Sequence, residues 1–367
     1  MTESLARNRF SRSLSSEASR GLTAAPDVAD SAEACMDSIH DHWRQNRRHP
    51  SGVGHFGVGH FGVGHFRVGP FRVVLFAWAF AATLLVILSA TTAPARAEDS
   101  AVVAADVVYG HKDGLALTMD VFGPRAESNR AGILFVVSGG WVSRWMPPES
   151  MEPWFRHYLD RGYTVFAVRH GSSPRYGIRD AFDDVGKAAR FLRREASRWD
   201  VDPKRLGATG MSAGGHLALM LGTESAGEGE PAEPREGASG SLVDAVVALV
   251  PPTDLTVIVW EAPESLPAYR NFPALDLGPG PARDLSPLHR VSGSAAPCLV
   301  IMGERDELVP ATHGEWIAER FREKKVPHRL VVLPGAGHGL EGADHQKRWR
   351  RESVDWFDQY LTGGDRQ

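Results

Sequence analysis

The chain has 367 residues, 43% of them hydrophobic and 23% charged, with a formal net charge of −4. That supplies enough apolar material for a sizeable core in one large or two small domains. No Lys/Arg run or basic stripe stands in the sequence, so no nucleic-acid partner is expected.

Residues 1–50 are rich in Ser, Ala, Asp and Arg with little periodicity. A five-residue repeat follows, "GVGHFGVGHFGVGHFRVGPFRVVLF", with Phe56, Phe61, Phe66, Phe71 and Phe76 in register. His55, His60 and His65 fall within it, which raises metal binding. Such Gly-rich units cannot bury a core, and residues 1–72 read as a low-complexity, disordered preamble without a metal site. Residues 73–90, "VVLFAWAFAATLLVILSA", are uncharged and apolar, with Arg67 and Arg72 before them and "APARA" after. Residues 73–97 therefore read as a secretory signal cut after Ala97, which places the product in the periplasm or outside the cell. An uncleaved membrane anchor through 73–90 is the alternative, because the run is about long enough to span a bilayer. A 70-residue preamble is too long for an ordinary leader, so the expected start of the chain lies downstream, near Val68 or Val73. Cleavage leaves Cys298 as the sole cysteine of residues 98–367 and no internal disulfide.

From residue 102 strands and helices alternate. "VVAADVVYG" and "LALTMDVFGP" read as two strands joined at Lys112-Asp113-Gly114, a turn signal. "AGILFVVSGG" is a short continuous apolar run, as expected of a strand buried on both faces. "PESMEPWFRHYLDRG" reads as a helix, "YTVFAVRH" as a strand, and "IRDAFDDVGKAARFLRREASRW" as an amphipathic helix. "RLGATGMS" is a strand and "AGGHLALMLGT" a helix; "LVDAVVALVPP", "PCLVIMGE" and "HRLVVLPG" are three further strands. Helices are expected at about 311–325 and 345–361. The pattern predicts an α/β fold, with a mostly parallel sheet of about eight strands and helices on both faces. Ligands of such sheets sit outside the carboxyl ends of the strands. Two segments break the rhythm. "ESAGEGEPAEPREGASGS" (224–241) is acidic and Gly/Pro-rich, and reads as a mobile loop. Residues 251–296 hold eight prolines and read as a small cap beside the site.

Gly210-Met211-Ser212-Ala213-Gly214 has the form G-x-S-x-G and lies where a predicted strand meets a helix. A sharp turn there pushes a serine into an exposed, strained position that needs small neighbours. A serine hydroxyl needs a histidine base oriented by a carboxylate. His338, in "LPGAGHGL" after the last predicted strand, is placed to serve. His216 lies in the nucleophile helix and reads as structural, whereas His170 ends a strand as a pocket-lining candidate. The carboxylate should end a late strand before the histidine. Asp306, in "CLVIMGERDELVP", fits; Asp254, in "LVPPTDL", is its rival. Glu304 and Glu307 are expected to face solvent.

Four motifs, Ser138-Gly139-Gly140-Trp141, Gly210-Met211-Ser212-Ala213-Gly214-Gly215-His216, Gly303-Glu304-Arg305-Asp306-Glu307-Leu308-Val309-Pro310 and Gly335-Ala336-Gly337-His338-Gly339, carry a resemblance. The chain from about 105 to 361 resembles an α/β-hydrolase of the esterase/lipase branch related to hormone-sensitive lipase and bacterial carboxylesterases. It is also similar to prolyl-oligopeptidase-type catalytic domains. The resemblance implies a catalytic domain over 98–367 and acyl transfer to Ser212, with His338 as base and Asp306 as its orienting acid. It implies an oxyanion hole from the N–H groups of Gly140, Trp141 and Ala213, with Trp141 also walling the acyl pocket. Esterases of this branch carry His-Gly-Gly at that loop; Ser138 stands in place of the histidine, and with Gly139 is expected to support the loop through local hydrogen bonds. A small-molecule ester is the expected substrate. A prolyl-oligopeptidase-like peptidase and a catalytically silent binding protein are the alternatives. Neither a metal nor an organic cofactor is expected: no Cys/His pair has zinc-ligand spacing and no phosphate loop is present.

Overall fold

Short runs rich in Val, Ile, Ala and Phe alternate with stretches whose apolar residues recur every three or four positions, and the backbone follows that rhythm. A computed structural model describes residues 101–223, 241–260 and 272–363. The preamble of 1–72, the leader or anchor of 73–97, and nearly all of the acidic loop of 224–241 lie outside the described residues.

The strands are β1 (Val102–Lys112), β2 (Leu115–Phe122), β3 (Gly132–Val136), β4 (Thr164–Val168), β5 (Leu206–Met211), β6 (Ala245–Leu249), β7 (Cys298–Gly303) and β8 (His328–Leu333). The main helices are α1 (Pro148–Leu159), α2 (Ile178–Glu195) and α3 (Ala213–Thr223); α4 (Leu255–Trp260), α5 (Pro279–Asp284) and α6 (Pro287–Arg290) are short; α7 (Thr312–Glu323) and α8 (Ala343–Leu361) follow. All eight strands form one sheet in the order β1-β2-β4-β3-β5-β6-β7-β8. β1–β2 and β2–β4 pair antiparallel; every other pair is parallel.

Side chains along the inner strands alternate between two cores, because successive Cβ atoms point to opposite faces. Leu134, Val136 and Val168 pack with Val185 and Leu192 of α2, Leu217 of α3 and Phe321 of α7. Ile133, Val165 and Val247 pack on the other face with Phe155 of α1 and Phe357 of α8. Burial on both faces is why β4, β6 and β7 are buried at every position and, Thr164 apart, carry no polar side chain. Each fully buried Leu or Phe contributes about 1.5–3 kcal/mol. Among the described residues no helix is long and apolar enough to cross a membrane.

Strand order reverses between β3 and β5: from β3 the chain moves to β4 on one side, and from β5 it builds outward on the other. The carboxyl ends of β3 and β5 therefore flank the crevice where such sheets hold ligands. The segment 251–296 holds α4, α5 and α6 between β6 and β7. Its beginning and end are held to each other by Leu255 N–H to Ser286 Oγ (2.8 Å) and by Leu288 N–H to Thr253 O (3.0 Å).

Candidate active site

Ser212 is the single residue between β5 and α3 and takes a left-handed backbone, φ +55°. A non-glycine residue there is strained and persists only where its surroundings enforce it. The turn is pinned by Ser212 N–H to Leu249 O of β6 (2.8 Å) and by His216 N–H to Ser212 O (2.9 Å). Close approach explains its glycines. A Cβ on Gly210 would lie 2.5 Å from the Gly214 carbonyl carbon, and one on Gly214 would lie 2.6 Å from Val136 O of β3.

The loops after β7 and β8 interlock. Arg305 N–H donates to Ala336 O (2.8 Å), Glu304 N–H to Leu333 O (3.1 Å), and Gly335 N–H to Glu304 Oε2 (2.8 Å). This brings Asp306 to His338. The His338 Nδ1–H donates to Asp306 Oδ2 at 2.8 Å. The other oxygen, Oδ1, accepts the N–H groups of Leu308 (2.9 Å) and Val309 (2.8 Å). The Asp306 side chain has no exposed surface, while His338 keeps 26% of its own. The carboxylate is thus fixed by its own loop, and it fixes the ring that faces solvent. Asp254 does not reach His338; it accepts from Thr256 N–H (2.9 Å) and Oγ1–H (2.6 Å) and lies 3.5 Å from His289. Glu304 and Glu307 are exposed. Among the described residues no hydrogen bond joins the Ser212 hydroxyl to His338. Such contacts are often loose without substrate and tighten on binding.

After β3 the chain turns through two consecutive left-handed residues, Gly140 (φ +56°) and Trp141 (φ +59°). Gly139 and Val142 exchange hydrogen bonds across this turn, both at 3.0 Å. Among the described residues the N–H groups of Gly140 and Trp141 make no hydrogen bond. The Phe272 ring lies against Gly140, where a Cβ would sit 2.5 Å from its Cε1.

Two expectations for this loop need correction. The Ser138 hydroxyl is buried and makes no hydrogen bond, so it does not order the loop. The neighbouring loop after β4 does that instead: Ser143 N–H donates to Ser172 Oγ (2.8 Å), Ser172 Oγ–H to Ser143 O (3.1 Å), and Ser173 N–H to Trp141 O (3.2 Å). Ser172 escaped the sequence reading, because nothing in "RHGSSPRYG" marks one serine as a cross-loop partner. The Trp141 side chain does not stand open beside the oxyanion loop: the residue is 3% exposed, and its indole packs edge to face on His216.

His170 is buried; its Nδ1–H donates to Gly171 O (2.7 Å), its Nε2 has no partner, and burial holds its pKa below the ordinary value. Among the described residues no group of three or more His, Cys, Asp or Glu is arranged to hold a metal ion. Cys298 is buried, its thiol pKa raised by desolvation.

A strained serine at a strand-to-helix turn, on the same carboxyl edge of the sheet as a carboxylate–histidine pair and a loop with free N–H groups, can support nucleophilic chemistry on a carbonyl. The family model of BD-FAE matches residues 119–321, more than half of the chain. The chain belongs to the BD-FAE family. The matched segment includes Ser212 and Asp306 and stops short of His338. Esterase LipC of Mycobacterium tuberculosis is 29% identical over 253 residues, which cover 65% of this chain and 60% of LipC. Ethyl acetate hydrolase of Pseudomonas putida is 26% identical over 252 residues, covering 64% of this chain and 74% of the relative. This BD-FAE chain thus spans under two thirds of LipC's length. Among solved structures, the acetyl ester-xyloside bifunctional hydrolase of Caldicellulosiruptor lactoaceticus superposes with a TM-score of 0.57 at 22% identity, covering 69% of this chain and 95% of that one. The fold is that of the α/β-hydrolases.

Proposed function

We propose that this BD-FAE member is a serine hydrolase that cleaves small carboxylic esters through an acyl-enzyme on Ser212. The observation that carries this reading is the buried Asp306 holding the His338 Nδ1–H at 2.8 Å, on the sheet edge where Ser212 stands at φ +55°. Ser212 Oγ attacks the acyl carbonyl while His338 Nε2 takes its proton. Asp306 keeps the ring in that tautomer and stabilises the imidazolium. The tetrahedral oxyanion receives the N–H groups of Gly140, Trp141 and Ala213, the last at the positive end of α3. His338 then protonates the departing alcohol. Next it deprotonates a water that attacks the acyl carbonyl, and it returns that proton to Ser212 Oγ as the ester bond breaks and the acid leaves.

Relatives named as esterases and as carboxylic ester hydrolases support the reading. Export belongs to it as well: residues 73–97 act as a cleaved leader, and N-terminal sequencing of the exported protein should begin at Glu98. The activity is tested with p-nitrophenyl acetate and butyrate. The parent is expected to turn both over, and Ser212→Ala to abolish turnover while melting like the parent. Cleavage of prolyl-peptide anilides with no ester turnover would replace this reading with a peptidase.

A further inference from the structure

His216 is fully buried on the first turn of α3. Both of its ring nitrogens are engaged, each by a different segment around the nucleophile. Nδ1 accepts the Trp141 indole N–H at 3.2 Å, and the two rings meet edge to face with centroids 5.5 Å apart. Nε2–H donates to the Leu285 carbonyl at 2.7 Å. An indole N–H can only donate and a carbonyl can only accept, so the partners fix one neutral tautomer. Burial pushes the pKa of the ring down to about 4, which keeps it neutral.

Trp141 is a residue that needs holding. It carries a bulky side chain in the left-handed region, φ +59°, a conformation uncommon outside glycine. Its loop is gripped by backbone bonds at Val142 and Ser173, but its side chain is held through His216. The 251–296 segment reaches the same loop twice, by Phe272 against Gly140 and by Leu285 through His216.

We propose that His216 is a positioning residue: it clamps the Trp141 indole between the nucleophile helix and Leu285, and so sets the Gly140–Trp141 N–H groups relative to Ser212. The inference rests on Ser212 being the nucleophile, not on the substrate being an ester. A residue that merely fills the core would lower stability when replaced. A positioning residue also lowers the rate of every reaction that builds an oxyanion at Ser212, and it shares that loss with Trp141.

The test compares the parent with His216→Leu, His216→Gln, Trp141→Phe and His216→Leu/Trp141→Phe. Thermal melting checks folding, a fluorophosphonate probe reads Ser212 labelling, and p-nitrophenyl acetate gives kcat and KM. His216→Leu and Trp141→Phe are each expected to slow labelling and lower kcat about 10- to 100-fold, less than the roughly 10²–10³-fold of deleting an oxyanion donor. KM should change little, and the double variant should be no worse than the poorer single. His216→Gln, with one acceptor and one donor, should recover part of the loss. Folded single variants that label as fast as the parent, or losses that multiply in the double variant, would overturn the proposal. If His216→Leu does not fold, Trp141→Phe decides it alone, since it removes the indole donor and leaves α3 untouched. A parent that labels but turns over no ester defeats the ester reading and leaves this inference standing on labelling rates. A parent that does not label overturns it.

Discussion

At the scale of single residues, the contact that most constrains the chemistry is Asp306 Oδ2 on His338 Nδ1 at 2.8 Å. Asp306→Asn keeps the size of the side chain but removes the charge that stabilises an imidazolium, and an amide can select the wrong ring tautomer. It is expected to lower kcat by about 10³–10⁴-fold, whereas Asp254→Asn, whose carboxylate serves Thr256 and lies near His289, leaves kcat within a few-fold. Steady-state kinetics of the two variants, made side by side, measure this; equal losses would remove Asp306 from its role. Ser138 gives the opposite kind of prediction. Its hydroxyl is buried without a partner, and deleting an unsatisfied polar group is neutral or stabilising. Ser138→Ala should melt at or above the parent's temperature with kcat little changed. Ser138→His should bring no gain, because the loop is already held by Ser172, Ser173 and the Gly139–Val142 pair. A large rise in activity for Ser138→His would show that the loop is loose after all. Sequence could single out Ser212, Asp306 and His338 because each sits in a turn just past a strand's end, the serine and the histidine among small residues. It could not assign hydrogen bonds to Ser138 or Ser172, since those depend on which loop lies alongside.

At the scale of elements, legibility followed periodicity. β3, β4, β6 and β7 were visible as unbroken apolar runs because both faces of each are buried, and α2 because Ile178, Ala181, Val185, Ala188 and Leu192 line one buried side. Residues 251–296 showed no period. The described helices there are short, and α5 and α6 each begin at a proline, which offers too few turns for an apolar face to repeat. What that segment does is visible only in three dimensions, where Phe272 closes over Gly140. A ring at that point narrows the space beside the oxyanion loop, so short acyl groups should be preferred. Phe272→Ala is expected to raise the butyrate-to-acetate ratio of kcat/KM several-fold and to extend turnover to octanoate, at the scale of about 1–3 kcal/mol that one or two methylenes are worth in an apolar pocket. Rates on p-nitrophenyl esters of rising chain length measure it. An unchanged ratio would place the acyl group elsewhere.

At the scale of the whole molecule, the fold carries a set of histidines held in the neutral form, His216 and His313 buried outright and His157 half-buried with both ring nitrogens covered. Burial lowers the pKa of His157 to about 3, with help from the nearby Arg350, and that of His216 and His313 to about 4. An unfolded imidazole titrates near ~6.5. Between that value and the folded one, the unfolded chain binds a proton that the folded chain refuses, so stability falls as pH falls. Each such histidine contributes a slope of up to about 1.4 kcal/mol per pH unit. The contribution is fully present above pH ~6.5 and is lost on the way down to the folded pKa. His157 isolates the effect. It lies on α1, its ring tilted against Tyr158 with centroids 3.9 Å apart and edge-on to Trp349 of α8 at 5.3 Å, and neither ring nitrogen has a partner. His157→Phe keeps an aromatic ring in that seat and removes the proton difference along with two unsatisfied nitrogens. Urea unfolding at intervals from pH 8 to pH 4.5 should show the parent losing stability below pH ~6.5 and the variant losing it about one proton less steeply. The two should match, or the variant lead, above pH 7. Identical slopes would mean that His157 titrates in the folded protein as it does in the unfolded chain, and that the interface between α1 and α8 admits a charge.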